Sequence, residues 1–180
     1  KRYYGMPLPF YPCDCGHITV VGSKAELREK AVDPAQVDAL PELHRPWVDA
    51  VKIKCPHCGK EVSRVSDIGD VWLDAGIVPF STLGYFTDRE AWEKNFPAEW
   101  VTEMHEQVRL WFYSMLFMST VLVGKAPYER VVTNGMVVAE DGSKFSKTGF
   151  MIKFDEAAEK IGADTVRYLY GSAPNTNDVR

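Results

Sequence analysis

The chain has 180 residues, of which 46% are hydrophobic and 26% charged, with a formal net charge of −4. That balance excludes disordered, collagen-like and low-complexity classes. The acidic excess excludes a generic electrostatic nucleic-acid binder, because phosphate neutralisation needs surplus Lys and Arg. No apolar run reaches the roughly 18 residues of a membrane span. The strongest one, Leu110–Val123, is interrupted by Tyr113, Ser114, Ser119 and Thr120. The opening residues carry no apolar signal-peptide core. The absence of an initiator Met, and an end at Asn177-Asp178-Val179-Arg180 without a closing element, read as a piece of a larger protein.

Residues 1–66 are rich in proline and in short alternating runs, which predict small strands at Ile18–Val21, Val48–Ile53 and Glu61–Val65. Ser23 followed by Glu26 reads as the capping box of a helix over Ser23–Lys30. The segment has no long apolar stretch, so only a small core is expected there. After Ile68 the pattern changes. A helix is predicted over Asp88–Asn95 with Asp88 as its cap, a buried strand at Trp100–Thr102, and the longest helix over Glu106–Val123, stopped by Gly124. Strands are expected at Arg130–Val132 and Met136–Ala139, a turn at Glu140-Asp141-Gly142, and helices at Phe154–Ile161 and Ala163–Tyr170. Strand, helix, strand, loop and helix in that order is the pattern of an α/β layered fold.

All four cysteines fall in the first third, as Cys13-Asp14-Cys15-Gly16 and Cys55-Pro56-His57-Cys58-Gly59, with 39 residues between the pairs. Close pairs let two thiolates reach one ion, and a following glycine relaxes the turn. Cys13, Cys15, Cys55 and Cys58 therefore read as the ligands of a closed, structural, tetrahedral Zn²⁺. Disulfides or free thiols are the alternatives, and nothing in the chain suggests the secretion that disulfides accompany. His17 and His57 stand beside the ligands as possible substitutes. A segment with little core gains most from such a staple.

The stretch Asp141-Gly142-Ser143-Lys144-Phe145-Ser146-Lys147-Thr148-Gly149 puts two lysines three apart with hydroxyls around them, on a glycine-bounded loop. Such a loop can carry ammonium groups to phosphate oxygens, where a leaving pyrophosphate develops negative charge. It lacks the spacing of a Walker A loop. Alone, it reads equally well as a solvated basic turn.

These residues do not stand alone. Lys144–Thr148 resembles the KMSKS signature of class I aminoacyl-tRNA synthetases, and Ile161–Tyr168 resembles the "YGADALR" stretch that follows it. Arg2–Pro9 resembles "RYWGTPLP", Asp70–Gly76 resembles "DVWFDSG", and Glu106–Ser114 resembles "DQTRGWFYS". The matches are collinear over nearly the whole chain. Cys15-Gly16-His17-Ile18, Gly22-Ser23 with Glu26-Leu27, and Leu43-His44-Arg45-Pro46 are similar to the isoleucine type, with the valine and leucine types as close relatives.

The resemblance implies an α/β chain: the second half of a Rossmann-type catalytic domain with a small zinc-ribbon-like β module on its N-terminal side. It divides the chain into a zinc-binding connective module at 1–66, the catalytic half ending in the KMSKS-like loop at 67–150, and the start of a helical stem-contact region at 151–180. The implied function is activation of isoleucine with ATP and Mg²⁺, then transfer to tRNA(Ile), by a cytoplasmic, monomeric parent enzyme that does not bind membranes. The piece by itself is expected to be inactive, since no HIGH-type motif, editing domain or anticodon-binding domain accompanies it.

By the same resemblance Lys147 stabilises the phosphates, while Lys144 and Ser146 shape the loop. Trp72 and Trp111 frame the isoleucine side chain. Glu103, Glu106 and Gln107 contact the amino-acid ammonium and the adenosine ribose. The chain departs from the family pattern at Ala75, Met104, Glu106, Leu110, Asn134 and Phe145. Two other readings stay open: a valyl- or leucyl-tRNA synthetase piece, and a zinc-ribbon module that binds tRNA or protein without chemistry.

Overall fold

A computed structural model describes residues 3–146, 148, 149 and 151–180. The chain separates into two units, Lys1–Asp74 and Ala75–Arg180.

The first unit is built on two antiparallel hairpins. Strand β1 (Phe10–Pro12) pairs with β2 (Ile18–Val20), and β3 (Lys52–Lys54) pairs with β4 (Glu61–Ser63). Each strand is three residues long and turns only its middle residue inward, as the two-residue side-chain period requires. Between the hairpins lie α1 (Lys24–Lys30) and α2 (Pro34–Asp38). Ser23 caps α1 by accepting the amide of Glu26 at 3.1 Å. Glu26 reaches back to the amide of Gly22 at 2.7 Å, one residue before the position a capping box would use. The predicted run Val48–Ile53 divides into a 3₁₀ turn at Val48–Ala50 and the strand β3.

The core of this unit is larger than the sequence suggests. Tyr11, Leu27, Val37, Val48, Val51, Ile53 and Val62 form one buried cluster. Nearly every short element contributes a single inward residue, so the core assembles without any long apolar stretch.

The second unit begins as α3 (Val71–Gly76) ends and α4 (Val78–Ser81) follows. Helix α5 (Arg89–Asn95) is capped by Asp88, whose carboxylate accepts the amide of Ala91 at 3.0 Å. Its Trp92 is buried against Phe80 and Phe96 and donates from Nε1 to the carbonyl of Pro79 at 2.9 Å. Strand β5 (Val101–Met104), helix α6 (Trp111–Val123) and strand β6 (Val131–Asn134) make a β-α-β unit, with β5 and β6 parallel and in register from Val101↔Val131 to Met104↔Asn134. Parallel neighbours need such a crossover.

Three expectations change here. The strand near Trp100 is not buried: Trp100 is 55% exposed, because β5 has a single partner strand among the described residues. The long helix starts at Trp111, since His105–Arg109 winds as a 3₁₀ segment before it. Gly124 ends α6 in the left-handed conformation, as predicted. Met136–Ala139 makes isolated bridges in place of a full strand. Helices α7 (Phe154–Ile161) and α8 (Ala163–Ser172) follow, and Val179 beyond them bridges parallel to Val137. Among the described residues no helix is long and apolar enough to cross a membrane.

Candidate metal centre and nucleotide site

The two hairpins of the first unit end in the two cysteine pairs. Register Pro12↔Ile18 leaves residues 13–17 as one turn, and Lys54↔Glu61 leaves residues 55–60 as the other. Each turn is closed at its base, by Cys13 N–H to the His17 carbonyl at 2.9 Å and by Cys55 N–H to the Lys60 carbonyl at 2.8 Å. The glycine after each second cysteine has a positive φ, +86° at Gly16 and +73° at Gly59, a region that side chains other than glycine rarely enter.

The sulfur atoms of Cys13, Cys15, Cys55 and Cys58 consequently lie within 4.8 Å of one another. Cys13 and Cys58 are 3.4 Å apart, and Cys15 and Cys55 are 3.8 Å apart. A Zn–S bond of about 2.3 Å sets a tetrahedron edge near 3.8 Å, so the donor set fits this ion. The acidity of the thiols is unequal. The amide hydrogen bond at Cys15 pulls Cys13 down, but burial and hydrogen bonds to the other three thiols outweigh it and push it up to about 12. Burial raises Cys55, but the amides of Cys58 and His57 and the Cys13 and Cys15 thiols outweigh that and bring it down to about 7. His17 and His57 stack beside the cluster, with ring centroids 6.2 Å apart.

A second constellation lies at the carboxyl ends of β5 and β6. In open α/β sheets ligands bind outside the carboxyl ends of the strands. Glu103 is exposed on β5, opposite Thr133. Past its end the 3₁₀ segment carries Glu106 and Gln107. Gln107 accepts the amide of Trp111 through Oε1 at 3.1 Å, so it caps the start of α6. The sequence gives no sign of this role, because the helix was expected to begin upstream. Trp111 donates from Nε1 to the Ala75 carbonyl at 3.0 Å, which fixes its indole.

From β6 the chain passes Asn134 and returns through a turn at Asp141–Ser143, where the Asp141 carboxylate accepts the Ser143 amide at 2.8 Å. Hydrogen bonds from Ser143 hold the Asp141 carboxyl below its ordinary range, with a smaller contribution from the Arg180 charge. Lys144 then bridges antiparallel to Val138, and its ammonium hydrogen-bonds the Glu106 carboxylate. The hydrogen bond and charge of Lys144 hold the Glu106 carboxyl below its usual range. Ser146 is exposed, and Lys147 lies outside the described residues.

The structure thus brings Glu106 and Lys144 together, with Glu103 and Gln107 on the same edge. Trp72 belongs to the first unit, on α3, where its amide donates to the Asp70 carboxylate at 2.9 Å. Sequence reasoning missed Arg64, whose side chain is 1% exposed and binds the Leu8 and Asp67 carbonyls and the Asp49 carboxylate. A lone Arg after a strand carries no signal for that.

Comparison with known proteins matches all of residues 1–180 to the family of class I tRNA synthetases (I, L, M and V). The chain is 41% identical over 175 residues to an isoleucine–tRNA ligase of Clostridium novyi (strain NT), covering 96% of this chain and 16% of that relative. It is 43% identical over 178 residues to the isoleucine–tRNA ligase of Methanoculleus marisnigri, covering 97% and 16%. The chain therefore spans about a sixth of the length of these relatives. Among solved structures, a leucyl-tRNA synthetase of Agrobacterium radiobacter K84, crystallised in a ternary complex with tRNA and LeuAMS, superposes with a TM-score of 0.71 at 23% identity, over 99% of this chain and 24% of that one. This likeness supports the fold, and the family match over every residue establishes the rest: the chain belongs to the class I tRNA synthetases of the isoleucine, leucine, methionine and valine group.

Proposed function

We propose that the chain is the segment of an isoleucine–tRNA ligase that carries its zinc module and the second half of its catalytic domain. The observation that carries this reading is the meeting of Lys144 and Glu106 at the carboxyl ends of two parallel strands. A cation at that edge supports the reading, because ligands of α/β sheets bind outside the carboxyl ends of the strands. The division into residues 1–66, 67–150 and 151–180 belongs to the same reading.

In the reaction of the whole enzyme, a carboxylate oxygen of isoleucine attacks the α-phosphorus of ATP. The bond to the bridging oxygen breaks, and pyrophosphate leaves with the electron pair. Negative charge grows on the leaving group, and fixed cations there lower the barrier. Lys147 would supply that charge, with Lys144 and Ser146 setting the loop. Glu103, Glu106 and Gln107 would contact the substrate ammonium and the adenosine ribose, since a carboxylate or amide oxygen accepts N–H and O–H groups. Trp72 and Trp111 would give the branched side chain its flat apolar walls. The adenylate then passes isoleucine to tRNA(Ile). Mg²⁺ travels with the ATP phosphates, and no side chain of this chain is assigned to it.

Zinc would be held by Cys13, Cys15, Cys55 and Cys58, and its contribution is to tie the two hairpin tips together. The cytoplasm is the proposed compartment, and a monomer the proposed state.

The test is isoleucine-dependent ATP–pyrophosphate exchange by the full-length enzyme, with valine and leucine as competitors. Exchange with isoleucine at least about a hundredfold above leucine, abolished by Lys147→Ala, is the expected result; a single-methylene difference from valine gives a smaller ratio. Preference for valine or leucine would reassign the specificity. Unchanged exchange in Lys147→Ala would remove the loop from catalysis and favour a non-catalytic zinc module.

A further inference from the structure

Beyond β6 the segment 136–139 has neighbours on both edges. Consecutive amides of an extended chain point to opposite sides. The Ala139 amide donates to the Ser143 carbonyl at 2.9 Å, on the edge where Val138 bridges Lys144. The Val138 amide donates to the Val179 carbonyl at 2.9 Å, and the Val179 amide donates to the Met136 carbonyl at 2.8 Å. A strap at Asn177–Val179, from beyond α8, thus lies parallel to the segment that carries the Lys-Ser loop.

Two features lock the strap. Asp178 Oδ1 accepts the amide of Met136 at 2.8 Å, and a carboxylate makes a stronger acceptor than a neutral group. Gly135 lies directly under the strap: a Cβ there would stand 2.0 Å from the Asn177 carbonyl oxygen and 2.9 Å from the Asp178 amide nitrogen. No side chain fits. Strap, segment and loop form a continuous hydrogen-bonded series, and at its far edge Lys144 reaches Glu106. The backbone position of Lys144 is therefore set through Val138 by residues more than thirty positions downstream of it.

We propose that Asp178 is a positioning residue for the Lys-Ser loop, acting through the Met136 amide with Gly135 as its seat. Among the described residues Asp178 makes its side-chain hydrogen bond to the Met136 amide, which is not assigned to substrate. Its effect on turnover rests on the functional reading above, whereas its effect on loop order does not.

The test uses the full-length enzyme with Asp178→Ala, Asp178→Asn and Gly135→Ala. Two quantities are read: the kcat and KM of isoleucine-dependent pyrophosphate exchange, and the rate of tryptic cleavage after Lys144 in the native protein. Asp178→Ala is expected to lower kcat about tenfold with KM for isoleucine within about twofold, as loss of positioning without loss of binding does. It also speeds cleavage after Lys144 severalfold. Asp178→Asn restores both, because its Oδ1 accepts the same amide. Gly135→Ala behaves like Asp178→Ala.

The proposal is overturned if Asp178→Ala keeps wild-type kcat and cleavage, if Asp178→Asn is impaired as much as Asp178→Ala, or if Gly135→Ala leaves cleavage unchanged. Failure of Asp178→Ala to fold would assign the residue to general stability and overturn it too. Absence of isoleucine-dependent exchange in the wild-type enzyme would sink the functional reading, while the cleavage rates still decide the role of the strap.

Discussion

Arg64 and Asp49 form an ion pair in the first unit in which the Arg side chain is 1% exposed and the Asp side chain 28%. The same guanidinium donates to the carbonyls of Leu8 at 3.0 Å and Asp67 at 2.8 Å, so it joins three separate loops. Truncating Arg64 leaves Asp49 held by Arg45 at 2.8 Å but strips the Leu8 and Asp67 carbonyls of their donor, which costs about 1–3 kcal/mol. Arg64→Met is expected to destabilise the protein by that order, measured by urea unfolding. A cost under about 1 kcal/mol would mean the carbonyls find other donors.

The same pair sets an acid limit. Burial raises the Asp49 carboxyl, but hydrogen bonds from Arg64 and Arg45 outweigh it and hold the group below its ordinary value of 3.8. A carboxyl whose folded value is depressed contributes stability that is complete above the unfolded value and is lost as pH falls through the folded one. Stability should therefore be flat in this contribution above about pH 5 and fall below about pH 4. Asp49→Asn should flatten that limb in unfolding curves between pH 2 and 6. An unchanged limb would place the acid sensitivity elsewhere.

The sequence announces what depends on local spacing. The Ser23 and Asp88 caps, the Gly124 stop and the Phe154–Ile161 helix follow from neighbours within one turn. The cysteine pairs were legible for the same reason, each being a self-contained turn. What was not legible depends on partners far along the chain. Arg64 lies in no motif, and its partner Asp49 is fifteen residues away. Asp178 meets Met136 across forty-two residues. Helix α6 starts at Trp111 and not at Glu106 because capping by Gln107 follows from the 3₁₀ segment, which apolar periodicity does not report.

The four-sulfur cluster predicts one zinc ion per chain. Removal of the metal should lower the melting temperature of the first unit, because the four thiolates would tie the two hairpin tips through one ion. Cys55→Ala should abolish stoichiometric zinc, measured by elemental analysis, while His57→Ala should retain it. Loss of zinc in His57→Ala alone would move a ligand from sulfur to imidazole. A chelator that strips the ion without shifting the melting curve would show that the apolar cluster around Tyr11 and Ile53 suffices without it.

The Lys144–Glu106 contact predicts coupling between the loop and the β5 edge. Lys144 is 61% exposed at its side chain and Glu106 34%, so the pair is screened by salt and adds little to global stability. Its effect should appear in turnover. Because Lys144 keeps the Glu106 carboxyl below its ordinary range, the contact persists at neutral pH and weakens only as the carboxyl takes up a proton in acid. Glu106→Gln and Lys144→Ala should each slow pyrophosphate exchange by about tenfold, and the double variant should be slower than either but by less than the product, since the two share one contact while Glu106 also faces substrate. Multiplication of the two effects would show that Glu106 and Lys144 act independently, each on its own part of the nucleotide. Loss of the slowing at high salt, with the wild type falling to the rate of the variants, would support the ion pair as their common route.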